Sequence, residues 1–370
     1  MLKSLRSYAP RLECIHVVPG DARNQLVEEI IDSNLINYGV VAIYSKDLSM
    51  QQKCLELGIS FHTLGFAKKN LTLQFFALLL FVLKTRPKSL FLHSFYPSLL
   101  GLGLVYLCPF TKIVSVRHHN AVHILSKNRK GVFLDRLIAR ISFRTIAVSN
   151  AVKNTMIGQG CKEEKIVVIH NGISPRKFNR EKISPVMDTS SLNLLAVGRL
   201  DWQKNYETML LVASELKKRR IDFTLSILGT GNESYSASLF EKTRLLEVTD
   251  CVQWHGWQSN IEYWFTKSNI FLHTAVDEAC PLVLIEALLA GVPIVASDAG
   301  GSAEVIEGFA TSCSVDDIRS YVDQLVFIWK NIDEYKLKAQ NQIPAVEAKF
   351  SALRMRRDYE IWTLSVLEGA

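Results

Sequence analysis

The chain has 370 residues, of which 48% are apolar and 21% charged, with 19 glycines and 10 prolines. That composition excludes a disordered, collagen-like or low-complexity chain and supplies enough apolar material for two domains. The net charge of +7 is unevenly spread: residues 1–180 hold 25 Lys/Arg against 10 Asp/Glu, and residues 181–370 hold 18 against 26.

A basic half joined to an acidic half points to two domains with different partners. Seven cysteines are scattered without a C-x-x-C pair, which fits thiols used as small apolar residues in a reducing compartment. Residues 1–10 lack the apolar core of a signal peptide. The most apolar run, 71–83, has 13 residues, whereas a membrane-spanning helix needs roughly 20.

Short apolar strands alternate with helical stretches along the chain. In the first half the predicted strands are 14–19, 40–44, 90–95, 112–117, 145–148 and 166–169, with helices such as 24–37 and 132–143 between them. The second half repeats the pattern with strands 193–197, 224–228, 252–254, 270–274 and 293–296, and helices 206–219, 236–247, 261–266 and 281–290. Uninterrupted apolar strands separated by helices indicate a parallel sheet covered on both faces. Two such units are expected, broken by the aperiodic, proline-containing stretch 173–191. The predicted domains are 1–175 and 192–348, joined by a linker at 176–191, with a helix in 349–370 packing back on the first.

Arg199 and Lys204 lie in VGRLDWQKN, just past a predicted strand. Ligands of open α/β sheets bind at the carboxyl ends of strands, and two cations there suit a diphosphate. Charge alone fits a solvated loop with surface cations better. The stretch 277–307 is more informative. Its helix 281–290 is apolar nearly all round and so should be buried, with Pro281 in the first turn and Gly291 at the end. Glu286 stands inside it, and a buried carboxylate needs hydrogen bonds, which sugar or ribose hydroxyls would supply. Glu278 precedes the helix, where free amides can also hold an anion. Gly300-Gly301 reads as a flexible turn before Ser302, which could cap the next helix. Glu304 fits a dipole-stabilised carboxylate as well as a ligand.

These segments resemble the retaining glycosyltransferases of family 4. IAVSNAVKNTM, KIVVIHNGI, GRLDWQKN, the pair Glu278 and Glu286, and AGVPIVASDAGGSAEVI carry the likeness, in this order along the chain, and it covers most of the chain. The resemblance implies the GT-B fold: α/β, two doubly wound Rossmann-like domains facing a cleft, the first binding acceptor and the second binding donor. It implies that Arg199 and Lys204 hold the diphosphate of a nucleotide-sugar, with the Leu282 and Val283 amides on phosphate. Glu286 would take the ribose hydroxyls and Glu278 the transferred sugar. Gly229, in LGTGNES, would form a turn near the nucleotide. A histidine facing the donor sugar is expected in SVRHHNAVH; His118 is the first choice, with His119, His123 and His93 left open. Catalytic roles thus fall to Glu278, His118, Arg199 and Lys204.

Two departures from the family pattern stand out: Ala279-Cys280 after the first glutamate, and a glycine loop reduced to Pro19-Gly20-Asp21. No D-x-D triplet occurs, so the expectation is a metal-independent enzyme without a cofactor, whose cations neutralise the leaving group. The donor would be a nucleotide-diphosphate-sugar and the acceptor a glycan or lipid-linked glycan in cell-surface polysaccharide synthesis. The expected location is cytoplasmic, on the inner face of the membrane, with no nucleic-acid partner. A sugar-nucleotide epimerase of the same fold and a non-catalytic binding protein are the alternatives. A glycoside hydrolase is disfavoured, because eight helical residues separate two carboxylates by about 12 Å.

A membrane-surface role would use helix 132–143, with Arg136, Arg140 and Arg144 in one stripe, preceded by Lys127, Arg129 and Lys130. The run 71–83, flanked by Lys68, Lys69, Lys84, Arg86 and Lys88, could join it. Both helices could instead simply pack on the sheet with solvated cations outward.

Overall fold

The computed structural model describes residues 13–20, 25–33, 35–44, 49–65, 70–174 and 191–368. Asp21, Asn24, Lys68, Lys69 and the linker as far as residue 190 lie outside them.

The described residues divide into two compact units. The first takes residues up to 119, 123–171 and 352 onward; the second takes 120–122 and 172–351. The first holds a seven-stranded parallel sheet: β1 (Cys14–Val18), β2 (Tyr38–Ala42), β3 (Ser60–Thr63), β4 (Ser89–His93), β5 (Lys112–Arg117), β6 (Arg144–Ala147) and β7 (Ile166–Val168). The strand order is β3-β2-β1-β4-β5-β6-β7. The second holds β8 (Leu192–Val197), β9 (Phe223–Leu228), β10 (Val252–Trp254), β11 (Ile270–His273), β12 (Ile294–Ser297) and β13 (Thr311–Cys313). Its order is β10-β9-β8-β11-β12-β13, again all parallel. Each unit is therefore a doubly wound α/β domain. The strand order reverses between β1 and β4 in one and between β8 and β11 in the other, where such sheets bind ligands.

Alternating residues of β1 feed opposite faces of the first sheet. Cys14 and Val18 join a cluster with Val27, Ile30, Met355 and Tyr359, while Ile15 and Val17 join one with Leu78, Val82 and Leu104. The helix Ala352–Glu368 is part of this first unit. Its Arg356 donates to Glu29 O at 2.8 Å and to Asp32 Oδ2 at 2.7 Å, and its Trp362 meets Phe91 edge-on. All seven cysteines are buried free thiols.

Several local expectations need correction. The edge strands β3 and β13 were not anticipated, nor were the helices Ile318–Lys330 and Ile332–Phe350. Pro281 sits just before its helix, with extended ψ of 113°, and the helix runs Leu282–Leu289. Ser302 does not cap. Gly300, with φ of 54°, precedes the helix Gly301–Ile306, and the Ser302 hydroxyl is buried inside it with no partner among the described residues. The Gly300-Gly301 pair is a close approach rather than a flexible turn. A Cβ on Gly301 would lie 1.9 Å from Ala279 O, and Gly301 N donates to Glu278 O at 2.7 Å.

The run 71–83 is a helix, Leu71–Thr85, that buries only Gln74, Leu78 and Val82. Leu73, Phe76, Leu80 and Leu83 are 50%, 54%, 67% and 41% exposed and follow helical spacing, so they form one outward apolar stripe. Among the described residues no helix is long and apolar enough to cross a membrane.

Candidate functional site

The site of the second unit is built at the carboxyl ends of β8 and β11. After β8 the chain turns at Gly198, and Asp201 caps the short 3-10 turn Trp202–Lys204 by accepting from Gln203 N at 3.1 Å. Asn205 then enters the left-handed region at φ 52°, a conformation that asparagine tolerates well. Its side chain caps the helix Tyr206–Lys218 and donates to Asp316 Oδ1 at 2.8 Å. The loop after β11 docks on this turn: Val276 N donates to Gln203 O at 2.8 Å, and the Thr274 hydroxyl donates to Lys204 O at 3.1 Å.

The docking brings Lys204 Nζ onto Glu278 Oε1 as an ion pair, with the two side chains 20% and 14% exposed. Burial alone would push the Glu278 carboxyl up. Lys204 and His273 outweigh it and hold the pKa down at about 2. His273, the last residue of β11, lies with Nε2 3.4 Å from the same oxygen, and burial lowers its own pKa despite that carboxylate. The Lys204 stem runs over Gly198, where a Cβ would stand 3.3 Å from Lys204 Cε. Gly229 closes the floor: with φ of 139°, its Cβ would fall 1.9 Å from Gly198 O. Its place in the site is thus the tight approach of two strand-end loops.

Arg199 is not in this pair. Its side chain is 72% exposed, with Nε 2.6 Å from Asp201 Oδ2. Glu286 is half-buried rather than buried. It shares the one open stripe of helix Leu282–Leu289 with Leu282 and Val283, while Leu284, Ile285, Ala287, Leu288 and Leu289 are covered. The first amides of that helix have no acceptor within it. Glu304 is half-buried in the first turn of its helix. Asp277 was missed from the sequence. It is buried and accepts from Asn120 Nδ2 at 2.7 Å and Ala121 N at 2.9 Å, within the second unit.

In the first unit the histidines separate by partner. His118 Nε2 lies 3.2 Å from His93 Nδ1, and burial lowers the His118 pKa to about 4. His119 Nε2 and His123 Nδ1 each lie 3.0 Å from an oxygen of Asp135, and Arg117 Nη2 lies 3.4 Å from it. Asp135 is buried on the inner side of helix Arg129–Ile141 and was also missed. Burial would raise its pKa, but His119, Arg117 and His123 bring it below the usual carboxylate value. The two ring nitrogens and the carboxylate come within 4.8 Å of one another, a donor set that could take a divalent ion. The Arg117 guanidinium on the same carboxylate opposes a second cation. Gly20, where the first-strand loop is reduced, has φ of 98° and faces Tyr44 O so closely that a Cβ would stand 1.7 Å from it.

Two Rossmann-like domains with these strand-end sites define the GT-B class, and solved structures of similar fold agree. An Anabaena HepE structure in complex with UDP and glucose matches with TM-score 0.81, 14% identity, 96% coverage of this chain and 99% of that one. Sucrose-phosphate synthase from Thermosynechococcus elongatus matches with TM-score 0.82, 14% identity, and 97% and 100% coverage. The chain belongs to the family 4, group 1 glycosyltransferases: residues 41–177 match the profile of Glycosyltransferase Family 4 and residues 178–339 that of Glycosyl transferases group 1. Among relatives, the amylovoran biosynthesis glycosyltransferase AmsK of Erwinia amylovora is 32% identical over 193 residues, 50% of this chain and 46% of AmsK. The lipopolysaccharide 1,6-galactosyltransferase of Escherichia coli K12 is 27% identical over 170 residues, 44% of this chain and 45% of that enzyme. The chain spans about half the length of these curated relatives.

Proposed function

We propose that the protein is a retaining, metal-independent glycosyltransferase of polysaccharide synthesis. It moves a sugar from a nucleotide-diphosphate-sugar to a hydroxyl of a glycan or lipid-linked acceptor. The observation that carries this reading is the Lys204–Glu278 pair at the strand-order reversal of the second sheet. The reading gains support from the polysaccharide and lipopolysaccharide enzymes among the relatives and from UDP and glucose bound in a protein of the same fold.

The pair suits a bond between sugar and phosphate. An ammonium has three protons to donate; one serves Glu278, and the others can serve phosphate oxygens. The carboxylate accepts sugar hydroxyls, so the two ends of one ion pair address the two sides of the bond that breaks. Arg199, exposed at the loop edge, adds a bidentate contact to the diphosphate, and the Leu282 and Val283 amides receive phosphate oxygens. Glu286 accepts from the ribose. As the bond to the sugar breaks, charge grows on the diphosphate, where Lys204, Arg199 and the helix amides neutralise it. His118 orients the donor sugar, and the first domain orients the acceptor.

We also infer that the first domain meets an anionic lipid surface. The stripe Leu73, Phe76, Leu80 and Leu83 is apolar and exposed, and Lys84, Arg86 and Lys88 are exposed beside it. Apolar side chains flanked by cations suit a headgroup boundary. A 710 Å³ cavity lined by Ile124, Lys127, Arg129, Val132, Phe133 and Arg136 offers an apolar wall with three cations, suitable for a lipid-linked phosphate acceptor.

A thermal-shift screen against UDP-, GDP-, ADP- and dTDP-sugars tests the donor reading, because a ligand that binds only the folded state raises its stability by about 2.7 kcal/mol at a hundred times Kd. One nucleotide series should stabilise the wild type, and Arg199→Ala should lose that shift. No shift with any of them contradicts the reading.

A further inference from the structure

His16, His93 and His118 form a continuous chain of imidazoles in the first unit. His16 Nδ1 lies 2.8 Å from His93 Nε2, and His93 Nδ1 lies 3.2 Å from His118 Nε2. The rings come from the middle of β1, the last residue of β4 and the loop after β5, beside the point where the strand order reverses. They overlap at small angles, with centroids 5.1 Å apart at 30° and 5.5 Å apart at 26°. Phe91 stacks on His16 at 4.8 Å, and Tyr38 meets it edge-on at 4.9 Å. His16 and His93 are fully buried, and His118 is the half-buried ring at the open end. Burial keeps His16 at about 3 and His93 well below its ordinary value, so all three rings are neutral at neutral pH.

A neutral imidazole carries one N–H. His93 must therefore receive at one nitrogen and donate from the other, and both hydrogen bonds point the same way along the chain. The far end selects the direction. His16 Nε2 is buried and, among the described residues, has no partner. In one direction that atom is a bare nitrogen; in the other it is an N–H with no acceptor, and orphaned buried donors are rarer than orphaned acceptors. The favoured arrangement has His16 Nδ1–H donating to His93 Nε2 and His93 Nδ1–H donating to His118 Nε2. His118 is left with its proton on Nδ1. Among the described residues its side chain has no other hydrogen-bond partner.

We propose that His16 and His93 are positioning residues that fix the tautomer of His118, so that it presents a neutral Nδ1–H donor to an uncharged oxygen of its ligand. The identity of that oxygen as a sugar hydroxyl rests on the function proposed above; the tautomer does not. In this role His118 is a fixed hydrogen-bond donor, not a proton carrier.

The test is nitrogen-15 NMR of histidine-labelled full-length protein at neutral pH without ligand, with His118 assigned through His118→Asn. Long-range nitrogen–proton correlations distinguish an Nδ1–H ring from an Nε2–H ring. The expected result is a single Nδ1–H form at all three positions, with the Nε2–H form of His118 appearing in His93→Phe. An Nε2–H His118 in the wild type, or an unchanged His118 pattern in folded His93→Phe, overturns the proposal. The wild-type spectrum alone decides if that variant fails to fold. Because no donor is added, a fixed tautomer in a protein that binds no nucleotide-sugar would sink the ligand assignment and leave the positioning role standing.

Discussion

The Lys204 ammonium rests on the Glu278 carboxylate across 74 residues of sequence, joining the loop after β8 to the loop after β11. Both side chains are mostly withdrawn from water. Removing one partner from such a pair leaves the other charge uncompensated, whereas removing both can be nearly neutral. Lys204→Met should therefore destabilise the second domain by about 3 kcal/mol. Lys204→Met/Glu278→Gln should recover most of the loss. Chemical denaturation of the two variants and the wild type checks this; equal losses would mean the pair is not coupled.

The same pair predicts a pH dependence. Glu278 falls from an ordinary 4.5 to about 2 in the folded protein. A depressed carboxyl stabilises the fold above its unfolded value and loses that contribution as pH falls through the folded one. The contribution, on the order of 3 kcal/mol, should be complete above about pH 5 and fade between pH 4.5 and 2. Glu278→Gln should flatten this part of the acid limb relative to wild type. An acid limb identical in the two proteins would show that Glu278 is not held down by Lys204.

The glutamates should separate in calorimetry. Glu286→Ala should weaken binding of the free nucleotide and of the nucleotide-sugar alike, since Glu286 lies on the open stripe of helix Leu282–Leu289. Glu278→Gln should weaken mainly the increment that the sugar adds. A charge-assisted hydrogen bond contributes about 1.5–3 kcal/mol, so each loss should be at least tenfold in Kd. The same pattern for both variants would contradict the division of roles.

Arg199 is exposed and, among the described residues, pairs only with neighbouring Asp201, and exposed pairs contribute little to stability. Arg199→Ala should leave the melting temperature within about a degree while lowering donor affinity and transfer. A large melting shift would assign it a structural role instead.

The apolar stripe gives a membrane prediction. The protein should co-sediment with anionic vesicles at low salt and less at high salt, because each cation near the surface contributes about 1 kcal/mol and is screened. Phe76→Ser/Leu80→Ser, which alters side chains 54% and 67% exposed, should lose vesicle binding without losing stability. Binding that is equal on neutral vesicles, or unaffected by the double substitution, would contradict the surface assignment.

Much of the fold is written in local patterns. Eleven of the strands read as short apolar runs, and the two that did not are edges. Ser60–Thr63 is mostly exposed and Thr311–Cys313 has three residues, so neither needs a continuous apolar core. The helix Ile332–Phe350 contains Pro344, a residue that ordinarily argues against a helix interior. Arg199, Lys204, Glu278 and Glu286 stood out as polar residues in strand-end and helix positions. The pairing of Lys204 with Glu278 did not, because it depends on β8 and β11 being neighbours, which only the assembled sheet sets. Asp135 was hidden inside an amphipathic helix whose arginines drew attention outward. His16 was a single polar residue in CIHVV, and its partner His93 became evident only through the β1–β4 register, which sets His16 beside Phe91.

The central claim is sugar transfer from a nucleotide donor, and the direct measurement is product analysis after incubation with labelled nucleotide-diphosphate-sugars, a membrane extract as acceptor source, and excess chelator. The account predicts release of the nucleoside diphosphate in step with label entering a glycan or lipid-linked product, the donor's anomeric configuration kept, and loss of both in Lys204→Met. An isomerised sugar without label in any acceptor, binding without turnover, or transfer that returns only when magnesium or manganese is added would contradict it.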